Sequence, residues 1–242
     1  LHLSIRRQRQ MCIRDSSMPY NQIPFLLLGI ATLTFGIRSF IYAKRIKTPL
    51  SRYLGYVGVF IGISNLCYAF PLFFTRDFTV IKTFVVAGDV FYYCAILASV
   101  RTTWYLGKKQ IPFIWYLVPC LILFGTLFAI TLKTIPSIIY VITDNLANTP
   151  VDKMESYLFA FISLAFIQLG VMLLKQGKNV NEKRPRARLN IIGSTFILGG
   201  FIAVYNYLIL LGSATNVLVF VGYTAGSLGM LAGLFLIIRR KS

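Results

Sequence analysis

Read as a string of apolar and polar positions, the chain alternates long apolar runs with short polar connections. A bilayer core about 30 Å thick needs roughly 20 apolar residues at 1.5 Å rise each. Runs of that kind stand at about 22–43, 53–74, 80–101, 112–132, 156–175, 190–211 and 216–238, each closed by charges, Pro or turn residues. The pattern predicts an all-α integral membrane protein, a seven-transmembrane-helix bundle.

Orientation is read from the connections, because cytoplasmic loops carry an excess of Lys and Arg. The first, third and fifth connections and the C-terminus hold Lys44, Arg45, Lys47, Arg52, Arg101, Lys108, Lys109, Lys175, Lys178, Lys183, Arg184, Arg186, Arg188, Arg239, Arg240 and Lys241, sixteen in all. The other side holds Arg76, Lys82, Lys133 and Lys153, balanced by Asp77, Asp144, Asp152 and Glu155. With seven spans this places the N-terminus outside and the C-terminus in the cytoplasm, in a multi-pass protein of the cell membrane. The first run is read as a span and not as a secretory signal peptide, because MPYNQIPF carries no basic residue ahead of it.

Composition agrees with a membrane protein. Hydrophobic residues make up 57% and charged residues only 13%, against about 25% charged in soluble domains, and the mean hydropathy is +0.71. The formal net charge of +18 would suit a nucleic-acid binder. Spread over several short connections, however, it lacks the contiguous patch such binding needs, so the expected partner is the lipid bilayer and not nucleic acid. The densest cluster, KNVNEKRPRAR at 178–188, reads either as attraction to anionic lipid or as a docking site for a cytoplasmic partner, through Lys183, Arg184, Arg186 and Arg188.

The first sixteen residues differ from the rest. RRQRQMCIRDS, residues 6–16, resembles one forward reading frame of a transposase-type sequencing adapter along all eleven positions, so 1–16 is read as a non-native scar and 17–242 as a single transmembrane domain. Setting it aside removes four arginines and one aspartate from 25 basic and 7 acidic residues, leaving 21 and 6, a net charge of +15. His2, the one histidine, goes with it, as does Cys12. Met18 is then either the start or an internal residue.

Ionisable side chains inside a membrane are costly and are functional candidates by default. Arg38 is close enough to the end of the first run to snorkel to the headgroups. Asp89 lies near the middle of the third run, with Asn65, Tyr68, Tyr223 and Thr224 at comparable depth on the second and seventh. Tyr92 and Tyr93 share its helix face. These seven residues are the candidate ligand-binding set, with Gln168 and Asn206 more distant; the alternative is that Asp89 only bonds a neighbouring helix. Rows of small residues, Gly55, Gly58 and Gly62 in the second run and Gly222, Gly226, Gly229 and Gly233 in the seventh, are expected to let helices of the same chain approach closely. Pro71 and Pro119 are expected kinks. In the outer connection at about 133–155, SIIYVITD either lies at the interface, folds over the outer mouth or forms a surface loop.

Catalytic chemistry has little to work with. Without a native histidine there is no imidazole base, haem ligand or His-based zinc site. One intramembrane acid cannot make a paired-aspartate site, and Cys67, Cys94 and Cys120 sit in different runs without metal-ligand spacing. No enzyme, cofactor or metal is therefore expected. Helix count and orientation resemble the rhodopsin and receptor superfamilies in topology alone, since the seventh run has no lysine for a retinal Schiff base and no DRY or NPxxY motif occurs. Pairing Ala87-Gly88 with Ala225-Gly226 and Arg101 with Arg239 gives two triplets in one direction, an arrangement that resembles sugar transporters of the SWEET and PQ-loop type, although the Pro-Gln dipeptide is absent from the chain. The resulting expectation is a sensor or receptor-like bundle that binds a small-molecule ligand near Asp89 and signals to a separate cytoplasmic partner. The alternatives are a small-solute or proton-coupled transporter and a structural subunit held by a membrane protein partner.

Overall fold

A computed structural model of the protein describes residues 23–75, 77–107, 112–134, 141–143, 146–148, 153–208 and 217–238. Its elements are α1 (Ile23–Ile46), α2 (Pro49–Ala69), the short α3 (Pro71–Phe74), α4 (Phe78–Leu106), α5 (Ile114–Thr134), strands β1 (Val141–Thr143) and β2 (Leu146–Asn148), α6 (Lys153–Lys178), α7 (Lys183–Leu208) and α8 (Val217–Ile238). The strands pair antiparallel, with Thr143 opposite Leu146, so the end of SIIYVITD forms part of a small hairpin. Residues 1–22, including the adapter-like stretch, lie outside the described residues.

Four helices among the described residues are long and apolar enough to cross a membrane: Ile23–Ile46, Thr79–Leu106, Ser156–Lys178 and Lys183–Tyr205. The seven-span expectation is therefore corrected to four, in an all-α, integral, multi-pass membrane protein. The second predicted span, 53–74, is interrupted at Pro71, and the 21-residue helix before it is long enough but too polar to count among the four. Helix α2 ends at Ala69 and a separate turn starts at Pro71. What remains of α2 holds Ser51, Arg52, Ser64, Asn65 and three glycines, most of them buried against protein. In α5, among the residues whose side chains are described, the apolar stretch is Ile114–Leu127, shorter than the four. Helix α8 has 22 residues but is not among the four. The N-outside, C-cytoplasmic assignment required an odd number of spans and falls with the count.

The helices are joined in tight pairs. Helix α1 ends through Lys47, which adopts φ 56 and donates its amide to Ala43 O at 2.8 Å. Pro49 then opens α2 at a position where a missing N–H costs nothing. Along this hairpin, glycines bring backbones together: a methyl group at Gly36 would stand 2.5 Å from the Val59 amide nitrogen, and one at Gly62 would stand 2.6 Å from that of Leu33. The α6/α7 pair repeats the device, with Gly170 against Gly193 O at 2.5 Å. Helix α4 packs on α2 as α8 packs on α7, and the two triplets meet through α4 with α6 and α1 with α8. These six helices form a closed circuit of neighbours, and α5 lies against α4 and α6. Phe35, Val57, Ile96, Leu127, Leu169 and Ile192 are among the buried residues that fill it. Large apolar side chains such as Ile30, Phe84, Phe161 and Phe201 face outward, as lipid contact requires.

Candidate functional site

Helix α4 carries the polar centre of the bundle. Asp77 caps it, accepting from the Thr79 amide at 2.8 Å, so the carboxylate satisfies an orphan donor at the positive end of the helix dipole. Three turns on, Asp89 is only 8% exposed. Its Oδ1 accepts from the Tyr68 hydroxyl of α2 at 2.5 Å. Gly88 makes this reach feasible, because a methyl there would stand 2.7 Å from Tyr68 Cε1. One turn further, the Tyr92 hydroxyl lies 2.7 Å from Ser163 Oγ on α6. Ser163 gives its own proton to Phe159 O at 2.6 Å, so Tyr92 is the donor. Helix α4 is thus tied to α2 and α6 by two hydroxyl bonds one turn apart.

Of the expected ligand-binding set, the structure brings Asp89 and Tyr68 together. Asn65 is turned onto Ile61 O of its own helix at 2.9 Å. Tyr93 stacks on Phe124 and Phe159, with ring centroids 5.1 and 5.8 Å away. Thr224 stands half-buried on α8, which packs on α7 and α1 and not chiefly on α4. The side chains of Tyr223 and Asn206 lie outside the described residues, and Gln168 faces outward on α6. With four spanning helices in place of seven, the topological basis of the sensor or receptor-like reading is gone. That reading and the transporter alternative are both corrected to a multi-pass membrane protein without an assigned ligand or signalling mechanism.

A second constellation lies at one end of the bundle, where α1, α4 and α6 finish and α2 and α7 begin. Lys44, Arg45, Lys47, Arg52, Lys175, Lys178, Lys183, Arg184 and Arg186 are all exposed there. Contacts between helices fix the grouping: Arg188 of α7 lies 4.7 Å over the Tyr42 ring of α1, and Arg101 of α4 lies 5.7 Å over Tyr53 of α2. Of the four residues expected to dock a partner, Lys183, Arg184 and Arg186 thus face solvent, while Arg188 is engaged inside the bundle end.

No protein family, no curated protein and no solved structure matches this chain.

Two participants escaped the sequence reading. Ser163, the partner of Tyr92, is one hydroxyl in an apolar run and carries no local signal. Arg101 was read as a connection charge and as the repeat counterpart of Arg239, yet its guanidinium stands 4.3 Å from the Trp104 ring and 4.4 Å from Phe113. Trp104 at i+3 was the one local hint, since Tyr53 and Phe113 come from other elements. Among the described residues no group of three His, Cys, Asp or Glu side chains is placed to hold a metal ion.

Proposed function

We propose that the chain is a non-enzymatic, membrane-embedded docking protein, which offers the α6–α7 tip to a soluble partner with an acidic surface. The observation that carries this reading is the length of the two helices together with the cations exposed at their shared end. Helices α6 and α7 have 26 residues each, or about 39 Å at 1.5 Å per residue, some 9 Å more than the hydrocarbon core. Lys175 and Lys178 close α6, and Lys183, Arg184 and Arg186 open α7 across a connection of only four residues, Asn179–Glu182.

These charges work against the helix they open. The first turn of α7 holds no acidic residue, and cations at a helix N-terminus oppose the macrodipole by about 0.3–1 kcal/mol each. An acidic partner would relieve that cost and benefit from side chains already held on rigid helix ends. The non-enzymatic part rests on the chemistry the chain carries: the one histidine, His2, stands in the 1–16 segment read as non-native, and Asp89 is already tied to Tyr68.

A photo-crosslinking residue at the exposed Asn181, in the native membranes, tests the reading. A discrete protein adduct is expected, and it should vanish in the K183E/R184E/R186E variant. Adducts to lipid alone, or a protein adduct indifferent to the charge reversal, would overturn it.

A further inference from the structure

A guanidinium group has two apolar faces and five N–H donors that point outward in its plane. At Arg101 aromatic rings crowd the group from more than one side. Trp104, Phe113 and Tyr53 surround the group at 4.3, 4.4 and 5.7 Å, with the Trp104 and Phe113 rings 5.6 Å apart. Among the described residues, Arg101 makes no hydrogen bond or ion pair with its N–H groups. A half-buried cation fixed by aromatic rings and left with unused donors is prepared for a planar or tetrahedral oxyanion, which the fork can grip with two parallel bonds.

We infer that the corner formed by Arg101, Trp104, Phe113 and Tyr53 binds the phosphate of an anionic phospholipid headgroup. The surroundings favour a lipid over a soluble phosphate. Directly after Phe113, helix α5 turns outward a strip made by Ile114, Val118 and Leu121, spaced i, i+4 and i+7, beside Trp115 at 72% exposure. An acyl chain can lie along this strip while the headgroup reaches Arg101. The position is also interfacial, near the ends of α2 and α4 where exposed lysines and arginines accumulate, and basic pockets between helices at that level are suited to lipid headgroups.

This site is separate from the α6–α7 tip, so either proposal can fail alone. The test uses the purified full chain in detergent and native mass spectrometry with phosphatidylglycerol, phosphatidylcholine and inorganic phosphate as probes. Phosphatidylglycerol should be retained over phosphatidylcholine, and R101K, which keeps the charge but loses the fork, should weaken that retention about tenfold. K183E/R184E/R186E should retain it at the wild-type level. Equal retention by R101K, equal retention of phosphatidylcholine, or displacement by millimolar inorganic phosphate would overturn the assignment. A photoactivatable phosphatidylglycerol on the wild-type chain gives a reading that no variant's folding affects: the adduct should map to 101–122, and an adduct confined to other segments would refute the site.

Discussion

The Tyr68 hydroxyl and the Asp89 carboxyl meet across the α2–α4 interface at 2.5 Å, with Gly88 clearing the space for the tyrosine ring. Two residues that sequence depth alone had set at one level are in fact partners. Asp89 thus acts as a tie between helices, in a medium where an unsatisfied polar group would be expensive.

The tie should be measurable as a coupling. In thermal unfolding of the detergent-purified protein, Y68F and D89A should each lower stability, and the double variant should lose less than their sum. An interaction of about 0.6–1.7 kcal/mol is expected for a hydrogen bond between membrane helices. Strict additivity would show that the bond contributes nothing to stability.

Close approach in the α1–α2 pair predicts a contrast between glycines. Gly36→Ala places its methyl against the Val59 and Gly55 backbones, which cannot swing aside as a side chain would, so a loss of about 1–3 kcal/mol is expected. Gly125→Ala meets nothing within 4 Å and should leave the melting temperature unchanged or slightly raised. Equal effects at the two positions would contradict the packing described.

Lys47 is the one described non-glycine residue with positive φ. Its left-handed backbone costs about 1–2 kcal/mol relative to glycine, so Lys47→Gly should raise the unfolding midpoint although it removes a charge. A lower midpoint would mean that the side chain, and not the turn, stabilises the α1–α2 connection.

The two tryptophans report on different surroundings. Trp115 faces outward at 72% exposure, whereas Trp104 is half-buried and partly covered by Arg101 and Phe113. In single-tryptophan variants W104F and W115F reconstituted with brominated lipid, Trp115 fluorescence should be quenched more strongly than that of Trp104. The reverse order would place α5 inside the bundle.

Legibility from sequence followed the physics of each signal. Apolar runs located the helical segments, because burial in lipid and burial in protein demand the same residue types. For that reason the runs could not tell a spanning helix from α2, whose glycines, Ser64 and Asn65 are covered by neighbouring helices. Pro71 was read as a kink in a continuous span, yet it marks the break between α2 and α3. The glycine rows were legible: Gly55, Gly58 and Gly62 serve the contact with α1, and Gly222 and Gly229 lie against Ile202 and Thr195 of α7. The depth of Asp89 pointed toward Tyr68, but helix rotation, which turns Asn65 onto its own backbone and Tyr92 toward Ser163, depends on contacts that no local pattern encodes. Arg101 shows the same limit, since its aromatic corner assembles from three separate stretches of chain.

If spanning helices such as α7 leave a charged tip in water, a spin-label scan along α7 shows it most directly. Labels at Arg184, Arg186, Ser194, Leu198 and Phe201 all occupy outward positions. Collision with a water-soluble nickel chelate should be high at 184 and 186 and low at 198 and 201, and collision with oxygen should show the opposite order, with the crossover between 186 and 198. Nickel access at Phe201 equal to that at Arg184, or oxygen access at Arg184 equal to that at Phe201, would contradict it.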